Sequence, residues 1–554
     1  MLKRLFALFF VLSLSVPGFA ISAKKAKVSL LLYNGKVFTA DDRHGFAQAV
    51  AIDGNRITAV GSDSELRSKY SGAKEIDLKG KLVTPGFNDS HIHFLGVGLA
   101  LLRVDLNGSK SVEEAKSRIA AKIKELPKGA WVLGRGWDHT LWNNRLPTKE
   151  DLDSISPDNP VFVQRVDGHL SWANSLAFKL AKIDKSTKDP EGGEIVRKDD
   201  GEPAGVLKET SQGLVGRVVP DTTPEELLNG MRLAVKEAKS YGLTSVQGGT
   251  DFESIPLYKK LLDEGELSVR VAVWQDFESP VATLEKQRSD FASMNIDKSR
   301  LKLGILKGYM DGTLGSRTAA MIEPFADDPQ NKGIPRMPAE QMIKMIVERD
   351  KAGFQIGLHA IGDQANRTAL DGFELARKEN GAMRIRRHRM EHAQVVHPQD
   401  FKRFADLDVI ASMQPTHAIT DKRWAPDRLG DYRVLGAYSW KTFEAYKVHL
   451  AFGTDAPVES LNTYLTLYAA VTREAEEGGP AGGWLPEQKL SMAEAIRSYT
   501  AESAYAEFAE NEKGTIKPGM LADLIVHNKD LFTIPHKEIL NTRPFYTIFN
   551  GRVL

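Results

Sequence analysis

The chain has 554 residues, 42% of them hydrophobic and 27% charged, with 74 Lys and Arg against 73 Asp and Glu for a formal charge of +1. That length buries far more apolar surface than one small core needs, so a large domain with one or two smaller ones is expected. The balanced charge offers no overall field to attract nucleic acid or an anionic membrane. The absence of cysteine excludes disulfides, lipid attachment at Cys and thiolate chemistry, so metal ligands must be His, carboxylate or a modified side chain.

The N-terminus runs from Lys3-Arg4 through an apolar stretch, residues 5–16, to Pro17-Gly18-Phe19-Ala20, the basic, apolar and small-residue order of a secretory signal. Cleavage is expected after Ala20. The apolar core of about a dozen residues is shorter than the roughly 20 that a spanning helix needs. The mature chain is therefore expected in the periplasm or outside the cell, without a stable membrane anchor. Short alternating strands follow, at residues 30–33, 47–52 and 57–60, broken by Asn34-Gly35 and Asp53-Gly54-Asn55. The same texture returns at residues 522–526, 546–549 and 552–554. Residues 27–83 and 510–554 are thus expected to build one small β-sandwich. Between them, apolar runs at 301–306, 354–358, 409–413 and 449–453 alternate with helical patterns such as 338–350. That alternation predicts a (β/α)8 TIM-like barrel over residues 84–509. The stretch from about 109 to 222, rich in Trp, Gly, Pro and charge, fits the rhythm poorly and is read as an inserted α+β segment supplying a lid over the substrate.

The chemistry-bearing residues sit at expected strand ends. His91 and His93 are one residue apart, and in an extended segment residues i and i+2 share a face, so both imidazoles can reach one ion. His359, His392 and Asp455 each follow or end an apolar run. The C-terminal strand ends of a barrel converge on one mouth, so these distant residues are expected to meet there as a zinc-type site. Two further histidines, His169 in the insertion and His417 after Gln414-Pro415-Thr416, are candidates for contacting substrate. Trp137, Trp142, Trp172 and Tyr309 are candidates for an apolar wall, with core packing the alternative. Asp311 and Arg317 are candidates for ordering the loop after residue 307. His139, His388, His397, His449, His527 and His536 are expected to be structural or exposed.

The chain resembles the amidohydrolase superfamily, in particular its amidohydrolase-3 branch, which includes N-substituted formamide deformylases. The motifs that carry the resemblance are TPGFNDSHIH (84–93), GRGWDHTLW (134–142), DGHLSWANS (167–175), LKGYMDGTLGSRTA (306–319), LHAIGDQAN (358–366), RMEHAQ (389–394), QPTHA (414–418) and FGTDAPVE (452–459). The resemblance implies His91 and His93 on one metal, His359 and His392 on a second, Asp455 at the first, and a carboxylated Lys307 bridging two divalent ions, zinc by default. It also implies metal-assisted hydrolysis of a C–N bond in a small molecule, in which the acidity of a water rises from a pKa of about 15.7 towards about 7. Asp455 then takes the water's proton and passes it to the departing nitrogen. A deaminase, a cyclic or ester hydrolase on the same fold, and a non-catalytic exported regulatory protein are the alternatives. A homo-oligomer is compatible with the sequence.

Overall fold

The computed structural model describes residues 25–41, 45–165, 168, 170–190, 192–248, 252–383 and 385–554. The signal-like segment 1–20 and His169 lie outside these residues. Eight strands form one sheet in sequential order: β1 (Phe87–Ile92), β2 (Leu243–Gly248), β3 (Arg270–Asp276), β4 (Leu301–Tyr309), β5 (Ile356–Ala360), β6 (Arg389–His392), β7 (Ile410–Met413) and β8 (Leu450–Phe452). Each neighbouring pair is parallel. Strands covered on both faces need apolar side chains throughout, which is why β7 and β8, buried along their whole length, read as short apolar runs, while β4 is interrupted by the half-buried Lys302.

The sheet curls until its two ends meet. Just past β8, the Asp455 N–H donates to the carbonyl of His91 at 2.7 Å, and the Thr454 N–H donates to Asp89 Oδ1 at 3.0 Å. Gly453 makes this approach sterically feasible, since a Cβ there would lie 2.5 Å from the His91 backbone nitrogen. Helices connect the strands in the expected rhythm. The helix Pro224–Ser240 before β2 starts with a capping box, Thr223 with Glu226, and Pro224 at its first position, which together satisfy or remove orphan N–H groups. The helix expected at 338–350 is found at Ala339–Lys351, with Pro338 as its N-cap.

The chain ends build a sandwich. One sheet orders Arg56–Gly61, Ala49–Asp53, Ala26–Tyr33 and Tyr70–Asp77; the other interleaves both termini as Arg552–Val553, Pro544–Phe549, Leu524–His527, Leu82–Pro85, Lys36–Phe38 and Phe46–Ala47. Their facing side chains, including Leu30, Val50, Ile52, Val83, Leu524 and Ile548, form a separate buried cluster. The sandwich is joined to the barrel by the buried pair Arg270 and Asp523, with Nε to Oδ2 at 2.6 Å and Nη2 to Oδ1 at 3.0 Å.

The inserted segment carries a six-stranded sheet, from Val104–Asp105 to Pro203–Glu209. Of the two readings of the aromatic residues, the core-packing one holds for the three tryptophans of the insertion, whereas Tyr309 lines the barrel-mouth pocket. Trp137, Trp142 and Trp172 are buried in the insertion's own core, and each indole N–H donates to a backbone carbonyl, of Val163, Ser109 and Thr148 respectively. Large apolar rings with a satisfied N–H are stable as core, and a small inserted layer needs them there.

Candidate metal centre

The polar side chains gather at the C-terminal mouth of the barrel, around a pocket of about 380 Å³ lined by His91, His93, Lys307, Tyr309, His359, His392, His417 and Asp455 among others. β1 carries His91 in its interior, and His93 opens the helix Phe94–Leu102 that follows. His359 lies inside β5, and not just beyond it, because the strand extends two residues further than the apolar run. His392 ends β6 with φ 73°, and Asp455 has φ 58°. A non-glycine residue in this left-handed region is uncommon and persists only when its surroundings hold it. In both cases the strained residue presents its side chain to the pocket.

The donor atoms converge in two groups sharing Asp455: His91 with His93, and His392 with His417. His93 Nε2 lies 3.1 Å and His91 Nε2 3.5 Å from Asp455 Oδ1, and His417 Nε2 lies 3.5 Å from Oδ2. Yet Asp455 Oδ1 and His417 Nε2 are buried without a hydrogen bond from the described residues. Buried polar atoms are ordinarily paired, and imidazole nitrogens and a carboxylate oxygen aimed at one space suit a divalent cation. His417 therefore faces the pocket, within ligand distance of His392. His359, expected to accompany His392, stands outside both groups. Its ring is 4.6 Å from that of His392, but its Nε2 lies 3.0 Å from the Gly312 carbonyl, leaving Nδ1 as its other donor.

Lys307, on β4, is 7% exposed, with Nζ 3.5 Å from His91 Nε2 and 5.0 Å from the Tyr309 ring. Burial lowers its pKa to about 8, against the opposing pull of Glu391 and Asp455. Burial likewise lowers His91 to about 4 and His359 to about 3, so both imidazoles are neutral at physiological pH. Asp455 is held well below the usual carboxylate range, because His91, His93, His392 and His417 outweigh its burial.

Residues 74–554 match the pattern of the amidohydrolase family. The chain belongs to the amidohydrolase family. Protein LONG AFTER FAR-RED 3 of Arabidopsis thaliana is 35% identical over 90% of this chain and 86% of its own length. The N-substituted formamide deformylase of Arthrobacter pascens is 27% identical over 94% and 97%. Among solved structures, an uncharacterized metal-dependent hydrolase from Pyrococcus horikoshii superposes with a TM-score of 0.73 at 29% identity, covering 92% of this chain and 99% of that one. This amidohydrolase is accordingly a hydrolase with a candidate metal site at its barrel mouth.

A supporting layer of residues holds the candidate ligands and was not singled out from sequence. His91 Nδ1–H donates to Glu391 Oε2 at 2.6 Å, and Glu391 is paired with Arg389 at 2.8 Å. His392 Nδ1 meets Gln414 Oε1 at 2.7 Å. Asp89 accepts from Thr454, His91 and Tyr499. Alternation along a strand is the signal that could have found two of them: Asp89 shares a face with His91, and Arg389 with Glu391. Asp311 orders the following loop, as expected, by accepting from the N–H groups of Ala320, Ile361 and Gly362. Arg317 also ties the loop together, by pairing with Asp327 ten residues further along it. Among the described residues, the pocket's outer wall includes Thr313 to Gly315, Asp421, Trp424, Val458 and Glu459; residues 166, 167 and 169 of the insertion, expected to supply a lid, lie outside the described residues.

Proposed function

We propose that this amidohydrolase hydrolyses an amide- or formamide-type C–N bond in a small, non-peptide molecule, using two divalent ions, zinc by default. The observation that carries this reading is the buried, donorless Asp455 Oδ1 facing the imidazoles of His91 and His93, beside the buried Lys307. His91, His93, His359, His392, Asp455 and a carboxylated Lys307 would hold the ions. Carboxylation needs a neutral amine and carbon dioxide, and the burial that lowers the Lys307 pKa to about 8 supplies the first. Bound ions would supply an acidified water and a Lewis acid for the carbonyl oxygen.

The chain's own groups do the rest. Asp455, ionised at neutral pH, accepts the water's proton and returns it to the departing nitrogen, which balances charge across the reaction. His417, in the pocket 3.5 Å from Asp455 Oδ2 with its Nε2 unpartnered among the described residues, would contact the substrate carbonyl or share an ion with His392 and Asp455. The likeness to a formamide deformylase supports the bond type. The signal-like N-terminus supports a periplasmic or secreted location, and no helix among the described residues is long and apolar enough to cross a membrane.

The test is metal content per chain on the purified protein, intact mass for one added carbon dioxide, and a screen of N-formyl and N-acyl amines. Two ions per chain, both reduced in Lys307→Ala, and turnover of such amides are expected. A metal-free protein after reconstitution, or a loaded one inert to every amide, overturns the reading.

A further inference from the structure

Two carboxylates line the pocket without any role in holding a metal. Asp421 is the last residue of the helix Pro415–Asp421, and Glu459 lies in the loop four residues beyond Asp455. The hydrogen-bond donors to both are neutral. Asp421 Oδ2 accepts from the Tyr438 hydroxyl at 2.7 Å, and that hydroxyl accepts in turn from Gln394 Nε2 at 2.6 Å. Glu459 Oε1 accepts from Thr420 Oγ1 at 2.7 Å. Among the described residues, no Lys or Arg forms an ion pair with either one. Lys422 is turned away to the Gly479 carbonyl, and Arg423 is exposed. The wall beside them includes the rings of Trp424 and Tyr309, and among the described lining residues Lys307 is the sole Lys or Arg.

Burial raises the Asp421 pKa to about 6, and the nearby Glu459 adds to this, although His417, Tyr438 and the exposed Arg423 pull the other way, so its charge is only partly compensated within the protein. Tyr438, fully buried with φ 51°, nevertheless holds Asp421 at the pocket wall. The arrangement is thus built for a charge that arrives with the ligand, and aromatic faces add to the attraction for a cation. We propose that the pocket selects substrates whose non-reacting part carries a cationic nitrogen, an ammonium or guanidinium, seated between Asp421 and Glu459. The spacing also limits the substrate's shape. His417, close to Asp455, and Asp421 are four apart on one helix, neighbours on one face with Cβ atoms roughly 5–6 Å apart. The cationic nitrogen and the scissile bond are therefore separated by a short spacer of a few atoms.

This inference rests on the reading that substrate occupies this pocket, and one comparison separates the two. The metal-loaded protein is given N-(4-aminobutyl)acetamide and its neutral isostere N-pentylacetamide, and the preference is read as a ratio of calorimetric affinities or, where either is hydrolysed, of kcat/KM. The ammonium compound is expected to be favoured at least about tenfold, and the ratio to fall to within about twofold in Asp421→Asn and to drop in Glu459→Gln. Glu459 is held by a single side-chain hydrogen bond, so its variant remains informative if Asp421→Asn disturbs Tyr438. A ratio near one, no binding of either compound, or a preference that survives both substitutions overturns the subsite. A preserved preference without hydrolysis of any amide would sink the proposed reaction and leave the subsite standing; hydrolysis with a ratio near one would do the reverse.

Discussion

His91 shows how one residue's chemistry is set by others. Its Nδ1–H is committed to Glu391, which Arg389 neutralises, so Nε2 is left as the lone-pair donor towards the pocket and the tautomer is fixed. Glu391 carries no solvent exposure, and Arg389 brings it down to about 2 despite its burial. Replacing Glu391 by Gln keeps the shape but weakens the acceptor, and metal affinity is expected to fall about 10- to 100-fold. Competition with a chelator of known affinity measures this, and unchanged affinity would remove Glu391 from the centre. Asp455→Asn tests a different property. The amide can still occupy the site but cannot take a proton, so kcat is expected to drop about 10²- to 10⁴-fold with metal content kept. Wild-type turnover in a loaded Asp455→Asn protein would exclude it as the base.

At the scale of elements, the barrel depends on how its last strand meets its first. Gly453 sits where a Cβ would strike the backbone nitrogen of His91, and that backbone cannot yield without moving a ligand. Gly453→Ala is expected to lower the thermal midpoint by several degrees and to reduce bound metal together with it. A variant with native stability and full metal content would show that the closure tolerates separation. Strand identity was readable in β7 and β8, because burial along their whole length leaves short apolar runs. The insertion was less legible. Its three tryptophans read equally well as wall or core, and only their carbonyl partners and mutual packing, with Trp137 and Trp142 stacked at 5.8 Å, decide for core.

At the scale of the molecule, a buried ionic network ties the C-terminal segment to the barrel. Glu507 meets Lys302 of β4 at 2.8 Å, Lys513 at 2.7 Å and Asn88 of β1 at 2.9 Å. Burial alone would raise its pKa, but the two ammonium groups bring it down to about 2. With the folded value below the ordinary 4.5, the stabilisation is fully present above pH 4.5 and is lost as pH falls towards 2, on the order of 3 kcal/mol in all. Glu507→Gln is expected to be less stable at pH 7, where the buried Lys513 and the half-buried Lys302 lose their counter-ion. It is also expected to lose less of its stability than wild type between pH 5 and 3. Thermal melts across that range check both, and parallel curves would show that Glu507 does not carry the acid sensitivity.

The sequence by itself determined the family, the barrel and its sandwich, and the main metal-binding candidates, because apolar periodicity and short motifs at strand ends are local signals. His91, His93, His359, His392 and Asp455 were legible in that way as candidates, and Lys307 through the family resemblance. Only the tertiary structure decided that His417, and not His359, shares ligand distance with His392 and Asp455. It alone brought Asp421 and Glu459 to one wall, and placed Arg389 and Glu391 behind His91. These relations join residues up to about 300 positions apart, and nothing in a local pattern specifies which side chains a closed ring of strands will turn towards one another. The left-handed backbone at His392 and Asp455 has the same origin, since packing around the barrel mouth imposes a conformation that neither residue prefers alone.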